Sequence, residues 1–135
     1  METGPLVSVD WLSNHLDDAD LRVVDATWYM PAENRPGLAE FEKGHIPGAV
    51  FFDIDLIADQ SSDLPHMLPS PGAFTKAVSS LGLSPEHRIV VYDGHGIFSA
   101  PRVWWTLRVM GFDQVAVLDG GLKAWRAAGQ PLATG

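Results

Sequence analysis

The stretch from Ile89 to Arg102 constrains the fold of this 135-residue chain more than any other. It begins with Ile-Val-Val-Tyr, four residues without a polar break, which predict a strand buried on both faces. A Gly-rich turn follows, and Ser99 then stands where it can cap a helix that has Pro101 in its first turn. Strand, tight loop and helix N-terminus in succession are where α/β domains place their chemistry, because free backbone N–H groups there point at a ligand. The residue at the end of this strand is Asp93.

The rest of the chain alternates short apolar runs with amphipathic segments of helical period. The runs predict strands at 6–7, 21–25, 49–52 and 115–118. Helices are expected near residues 9–16, 71–81, 100–110 and 121–128, and glycines follow most of them. The last helix is expected to turn Leu122, Trp125 and Ala128 inward. Strands separated by helices of about ten residues predict right-handed βαβ units, and therefore an α/β domain with a mainly parallel sheet.

Length and composition exclude several classes of function. The chain has the size of one domain, 1–135, and its tail 130–135 looks like the start of a linker to a missing second domain. A net charge of −8 argues against binding to nucleic acid or to an anionic membrane. No signal peptide and no membrane-spanning run is visible, so the expectation is a soluble, cytoplasmic protein. The sequence has no cysteine, which excludes disulfides, zinc–thiolate sites and a thiol nucleophile on this chain.

Three roles are open to Asp93. The loop that follows it could cradle an anion, but the Asp93 carboxylate would place a negative charge in that cradle. The carboxylate could instead interact with the N-terminus of the following helix, which favours a negative charge by about 0.3–1 kcal/mol. An acyl-phosphate-forming nucleophile is the third role, with Asp25 as a second carboxylate, although no suitable lysine lies near either residue. The helix interaction is the interpretation that the residues favour.

The histidines offer a second kind of chemistry. His45, in a Gly-His-Ile-Pro-Gly turn, is expected to fix that turn by a hydrogen bond to backbone rather than to act as a base. His66 lies in the long polar segment 53–69, and Asp55 is a carboxylate that could orient its ring for acid–base work. The alternative is that His66 is a surface histidine. No ligand spacing supports a metal site, so neither a metal nor a cofactor is expected.

Four motifs resemble those of rhodanese-like domains, and in particular the N-terminal half of tandem thiosulfate and 3-mercaptopyruvate sulfurtransferases. They cover nearly the whole chain: Gly-His-Ile-Pro-Gly-Ala-Val-Phe-Phe-Asp at 44–53, Leu-Pro-His-Met-Leu-Pro at 64–69, Ser-Ala-Pro-Arg-Val-Trp-Trp at 99–105 and Leu-Asp-Gly-Gly-Leu-Lys-Ala-Trp at 118–125. The resemblance implies a rhodanese-like fold with a central five-stranded sheet and helices on both faces. It also implies chemistry at the end of the central strand, where the family places a Cys thiolate that accepts sulfane sulfur as a persulfide.

At the family's Cys position this chain has Asp93, as the first domain of tandem enzymes does. The resemblance therefore implies that the chain has no catalytic residue of its own, and that a Cys-bearing C-terminal rhodanese domain, on the same or a separate chain, is its partner. The degenerate active-site loop comprises Asp93, Gly94, His95, Gly96, Ile97, Phe98, Ser99 and Arg102. His66 and Asp55 would line the shared cleft as an acid–base relay.

Three functions follow from these observations. In the favoured interpretation, the domain supplies scaffold and cleft wall to a sulfurtransferase that moves sulfane sulfur from thiosulfate or 3-mercaptopyruvate to a thiophilic acceptor. The alternative is a stand-alone, catalytically inactive module for protein binding or regulation. An Asp-dependent phosphotransferase is the third class. Exposed apolar surface at Trp104 or Trp105, one of which is expected to lie at a surface or interface, would favour a partner domain.

Overall fold

The computed structural model describes residues 6–27, 41–52, 71–94 and 99–134. Its strands are β1 (Leu6–Val7), β2 (Leu21–Asp25), β3 (Val50–Phe51), β4 (Arg88–Tyr92) and β5 (Val115–Leu118). They form one sheet in the order β1-β5-β4-β2-β3, and every neighbouring pair is parallel. The prediction of a mainly parallel five-stranded sheet is confirmed.

Four helices that lie wholly within the described ranges connect and cover these strands, and residues 41–43 are helical as well. The four are α1 (Val9–His15), α2 (Pro71–Ser80), α3 (Ala100–Val109) and α4 (Gly121–Ala127). The α1 helix begins after Ser8, whose hydroxyl accepts a hydrogen bond of 3.0 Å from the backbone N–H of Trp11. The α2 helix ends two residues before Gly82, which has a φ of +82° that an L residue seldom adopts.

The sheet carries an apolar core on each face, because successive side chains of a strand point to opposite sides. On one face, side chains of α2 and α3 cover Val24, Ile89, Val91, Val115 and Val117. On the other face, side chains of α1 and α4 cover Val23, Val90, Tyr92, Ala116 and Leu118. Helices therefore lie on both faces, as the resemblance to rhodanese-like domains implied. β4 lies in the middle of the sheet and is buried over its last four residues.

Two local predictions are wrong. Ser99 stands at the N-cap position of α3, but its side chain makes no capping hydrogen bond. The Asp93 carboxylate accepts the hydrogen bonds of the first N–H groups instead. Ala128 was expected to face inward with Trp125, yet it is exposed. Ala128 is the C-cap of α4 and its backbone N–H still donates to the Ala124 carbonyl over 3.0 Å, so the helical spacing reaches it, but its side chain lies in solvent.

Candidate functional site

The candidate site lies at the carboxyl ends of β2 and β4, which are neighbours in the sheet. Asp25 is in register with Tyr92, and the backbone N–H of Ala26 donates to the carbonyl of Tyr92 over 2.8 Å. Asp93, the residue after β4, is therefore brought beside the segment 26–27 that leaves β2. Parallel α/β sheets place their ligands at this edge.

The Asp93 carboxylate is held by the N-terminus of α3. Its Oδ2 atom accepts two backbone hydrogen bonds of 2.7 Å each, one from Ser99 and one from Ala100. The carbonyl oxygen of Asp93 accepts a third hydrogen bond, of 3.0 Å, from the backbone N–H of Leu122 in α4. Asp93 is completely buried. The residue at the end of β4 thus joins the strand to the two helices that flank it.

Residues from β2 complete the surroundings of Asp93. The Ser99 hydroxyl donates to the carbonyl of Ala26 over 2.6 Å and lies 3.4 Å from Asp93 Oδ2. The backbone N–H of Gly94 donates to Thr27 Oγ1 over 3.1 Å. Both hydroxyl groups are used to fasten the start and the end of the loop after β4 to the chain that leaves β2.

Asp25 and Tyr92 form a buried polar pair beneath this edge. Burial raises the pKa of the Asp25 carboxyl above its ordinary value, and the nearby charge of Asp93 raises it further; hydrogen bonds from Thr27 and Tyr92 oppose this. Burial and the neighbouring Asp25 likewise raise the pKa of the Tyr92 phenol. The Tyr92 hydroxyl also accepts a 3.2 Å hydrogen bond from the backbone N–H of Ile46. The hydroxyl can therefore donate a hydrogen bond to the Asp25 carboxylate while it accepts one from the backbone N–H of Ile46.

This arrangement confirms the interaction of Asp93 with the N-terminus of α3. The backbone donors of Ser99 and Ala100 are the groups that would otherwise bind an external anion, and the chain satisfies them with its own carboxylate. A phosphoryl-accepting role finds no support, because the carboxylate is fully buried and already bonded. Within residues 6–27, 41–52, 71–94 and 99–134, no group of three or more acidic or histidine side chains is arranged to hold a metal ion.

The predicted site residues divide into those that the structure describes and those that it does not. Asp93, Gly94 and Ser99 come together as described above. Arg102 is exposed on α3, and its backbone N–H donates to the Ser99 carbonyl over 3.1 Å. The remaining loop residues His95, Gly96, Ile97 and Phe98, and the proposed relay pair His66 and Asp55, lie outside the described residues.

His45 behaves as predicted. Its ring is buried and stacks on Phe41, with the ring centroids 4.1 Å apart. Its Nδ1 lies 2.9 Å from the backbone carbonyl of Phe41, and because a carbonyl can only accept, Nδ1 must carry the proton. His45 therefore fixes the turn rather than offering a base to a substrate.

The tandem tryptophans also separate as predicted. The Trp104 ring packs against the core, and its Nε1 donates to the Val115 carbonyl over 2.9 Å. Trp105 is 46% exposed, and Val109, one turn further along α3, is 52% exposed. Pro101 lies one turn before Trp105 and is exposed as well. These three side chains, at a spacing of four residues, form an apolar stripe on the outer side of α3.

Thr27 and Tyr92 are functional neighbours that the sequence did not single out. Tyr92 directly precedes Asp93 at the end of β4, and Thr27 lies two residues after Asp25, the last residue of β2. The signal that could have found them is the adjacency of β2 and β4, because residues at the carboxyl ends of neighbouring parallel strands converge. Sequence order alone does not give that adjacency, since β3 follows β2 along the chain.

A comparison with protein families identifies the family of this chain. The model of the rhodanese-like domain matches residues 8–128, which is most of the chain. The chain belongs to the rhodanese-like domain family. In this rhodanese-like domain, the end of the central strand is thus occupied by a buried carboxylate that caps the following helix.

Curated relatives carry sulfurtransferase names and are much longer. Thiosulfate/3-mercaptopyruvate sulfurtransferase 2 of Arabidopsis thaliana is 56% identical over 125 residues, which are 93% of this chain and 36% of the relative. The 3-mercaptopyruvate sulfurtransferase of Escherichia coli strain K12 is 46% identical over 127 residues, 93% of this chain and 45% of the relative. The chain thus spans between about a third and a half of the length of these relatives.

Solved structures of sulfurtransferase relatives share this fold. The crystal structure of the 3-mercaptopyruvate sulfurtransferase SseA from Escherichia coli superposes with a TM-score of 0.92 and 44% identity, covering 96% of this chain and 50% of that one. The Tum1 protein of Saccharomyces cerevisiae superposes with a TM-score of 0.88 and 36% identity, covering 96% and 44%. This rhodanese-like domain therefore has the same fold as about half of each longer protein.

No helix in the described part of the domain has the length and hydropathy needed to cross a bilayer. The cytoplasmic assignment stays a prediction, because one relative, the Arabidopsis sulfurtransferase 1, is mitochondrial by name.

Proposed function

We propose that this domain is the non-catalytic first half of a tandem sulfurtransferase, and that a second rhodanese domain supplies the nucleophilic cysteine. The observation that carries the proposal is the Asp93 carboxylate, which fills the N-terminus of α3 at the strand end where a thiolate would be needed. The sequence contains no cysteine to replace it. The sulfurtransferase names of relatives about twice the length, or more, support the same function.

The chemistry explains why a partner is required. A thiolate attacks the terminal sulfur of thiosulfate, forms a new S–S bond and releases sulfite; with 3-mercaptopyruvate the C–S bond breaks and pyruvate leaves after protonation at carbon. An acceptor nucleophile then takes the outer sulfur and regenerates the thiolate. Thiolate is the nucleophilic form of cysteine, and a carboxylate has no sulfur with which to hold a persulfide. Asp93 can therefore shape the domain but cannot carry sulfur.

The exposed stripe on α3 supports a partner. A large aromatic residue and an aliphatic one, Trp105 and Val109, share one exposed helix face, which is the surface character expected where another domain packs. Arg102 and Arg108 flank the stripe, and α3 contains no acidic residue although the chain has a net charge of −8. An acidic, partly apolar partner surface would complement this face.

A chimaera tests the proposal with the least disturbance. The matching region of the Escherichia coli 3-mercaptopyruvate sulfurtransferase, 46% identical over 127 residues, would be replaced by this chain. We expect the chimaera to convert 3-mercaptopyruvate with kcat/KM within about tenfold of the Escherichia coli enzyme, because the fold that supports the remaining half is preserved. A folded, monodisperse chimaera without activity would contradict the proposal.

The stand-alone binding module is distinguished by the same chimaera. Changing Trp105→Ser together with Val109→Ser removes the two larger side chains of the apolar stripe, neither of which belongs to the core. If the stripe contacts the second half, activity or melting temperature of the chimaera falls while the isolated domain keeps its own melting temperature. If neither the activity nor the melting temperature of the chimaera changes, the stripe binds another partner, and this result would favour the stand-alone binding module.

The relay role of His66 and Asp55 is part of the proposal and is tested in the chimaera as well. A neutral imidazole near pH 7 can move a proton to or from substrate, and general acid–base help is worth about 10²–10⁴-fold. We expect His66→Ala to lower kcat/KM at least about tenfold with an unchanged melting temperature. Asp55→Asn is the second variant. Full activity in both would reduce His66 to a surface histidine.

A further inference from the structure

The tail of the described chain is fastened to the domain rather than free. The backbone N–H of Ala133 donates to the His45 carbonyl over 2.8 Å, and the N–H of His45 donates back to the Ala133 carbonyl over 3.0 Å. The indole Nε1 of Trp125, whose side chain is buried in the core, donates to the Pro131 carbonyl over 2.7 Å. A Cβ placed on Gly44 would lie 3.5 Å from a methyl group of Leu132, so the side chain of the tail also packs on the turn.

The turn that receives the tail is itself rigidly held. The His45 ring is buried, stacks on Phe41 and bonds to its carbonyl. The next residue, Ile46, is completely buried and donates its backbone N–H to the Tyr92 hydroxyl. The tail is therefore joined to a fixed point of the core and not to a surface loop.

Hydrogen bonds continue from that point to the loop after β4. The Tyr92 phenol lies beside the Asp25 carboxylate at the ends of β4 and β2, and each group shifts the pKa of the other. Asp25 Oδ1 accepts from the backbone N–H of Thr27 over 2.8 Å, and Thr27 Oγ1 accepts from the N–H of Gly94. One series of contacts thus relates the position of the tail to that of Asp93, on the neighbouring backbone.

We propose that residues 130–134 are a C-terminal clasp that fixes where the chain leaves the domain, and thereby restricts where the second domain can lie. The part about the second domain rests on the proposed function. A free segment of five residues would let the exit point wander by about 5–6 Å × √5, or about 12 Å. The clasp removes that freedom, so the second half is held near its docked position at a higher effective concentration.

Two spin labels test the clasp directly. The chain has no cysteine, so a double variant with Thr134→Cys in the tail and Thr75→Cys on α2 is labelled at those two positions only. Both positions are exposed. Double electron–electron resonance should give a narrow distance distribution. Ala133→Pro removes the N–H that bonds to His45 and should broaden the distribution by about 10 Å. Ala133→Ser keeps the N–H and should leave it narrow.

A distribution in the parent as broad as in Ala133→Pro would overturn the clasp. Amide exchange gives an answer that needs no variant: the N–H groups of His45 and Ala133 should exchange at least about tenfold more slowly than those of an unstructured peptide. Exchange at unprotected rates would also overturn it.

The positioning role has its own readout. In the chimaera, Ala133→Pro should lower kcat/KM several-fold while Ala133→Ser does not, and the melting temperature of the isolated domain should change little. Unchanged activity in Ala133→Pro would overturn the positioning role even if the exit is fixed. An inactive chimaera with Ala133 intact is a failure of the proposed function instead, and the label distances and amide exchange still decide on the clasp.

Discussion

Asp93 Oδ2 lies 2.7 Å from the backbone nitrogen of Ala100, the first residue of α3. The helix N-terminus that a parallel α/β sheet offers to a ligand is here satisfied from within the chain. The same residue bonds through its carbonyl to α4. Asp93 thus contributes to the stability of the domain by joining β4 to both α3 and α4.

Removing the Asp93 carboxylate should destabilise the domain. In Asp93→Ala, the N–H groups of Ser99 and Ala100 lose their acceptor in a buried place, so we expect the free energy of unfolding to fall by about 1–3 kcal/mol. Asp93→Asn keeps an oxygen acceptor and should lose less. Asp119→Ala is the matched control, because Asp119 follows β5 at the same edge but is exposed; its change should stay within about 0.5 kcal/mol. Urea unfolding measures all three, and equal losses for Asp93→Ala and Asp119→Ala would refute the capping role.

Deleting the Tyr92 hydroxyl should be costly for a different reason. In Tyr92→Phe, the buried N–H of Ile46 loses its acceptor, and an unsatisfied buried donor costs about 1–3 kcal/mol. Thr106→Val is the comparison, because the Thr106 hydroxyl donates to the carbonyl of Arg102, which lies in a helix turn. That deletion leaves no buried donor without an acceptor, so its loss should be smaller. A Tyr92→Phe variant as stable as the parent would show that the turn does not depend on this bond.

Asp25 should make the domain less stable as the pH rises. Its pKa is raised in the folded state, so the folded protein binds a proton more readily than the unfolded chain, whose Asp titrates at about 3.9. The resulting penalty is absent below about pH 3.9, grows as the pH rises to the folded pKa, and is constant above it. The stability of Asp25→Asn minus that of the parent should therefore rise over this window. Unfolding in urea at a series of pH values measures the difference.

Asp20→Asn should give the opposite slope. The pKa of Asp20 is lowered, first of all by its hydrogen bond with Arg88, so its contribution is present above about pH 3.9 and is lost as the pH falls through the folded pKa. The stability of Asp20→Asn minus that of the parent should then fall as the pH rises. Slopes of the same sign for the two variants would contradict these electrostatic assignments.

Sequence patterns predicted the sheet, its parallel sense and the strand end that matters, because buried strands and helix ends have strong local signatures. They placed Asp93 at the N-terminus of α3 for the right electrostatic reason. They did not predict that Asp93 displaces Ser99 as the cap, because that choice depends on a loop closing back over six residues. The docked tail was also beyond reach: Gln130 to Gly135 has the composition of a linker, and only the position of His45 in space shows what Ala133 pairs with.

The most direct test of the account is turnover by the purified 135-residue chain itself. Thiosulfate or 3-mercaptopyruvate would be supplied with cyanide or a thiol as acceptor, and product would be compared with a heat-denatured sample at equal concentration. We expect no product above that control, because no residue of the chain can hold sulfane sulfur. Sustained turnover by the folded chain, lost on denaturation, would contradict the central claim that a second domain must supply the nucleophile.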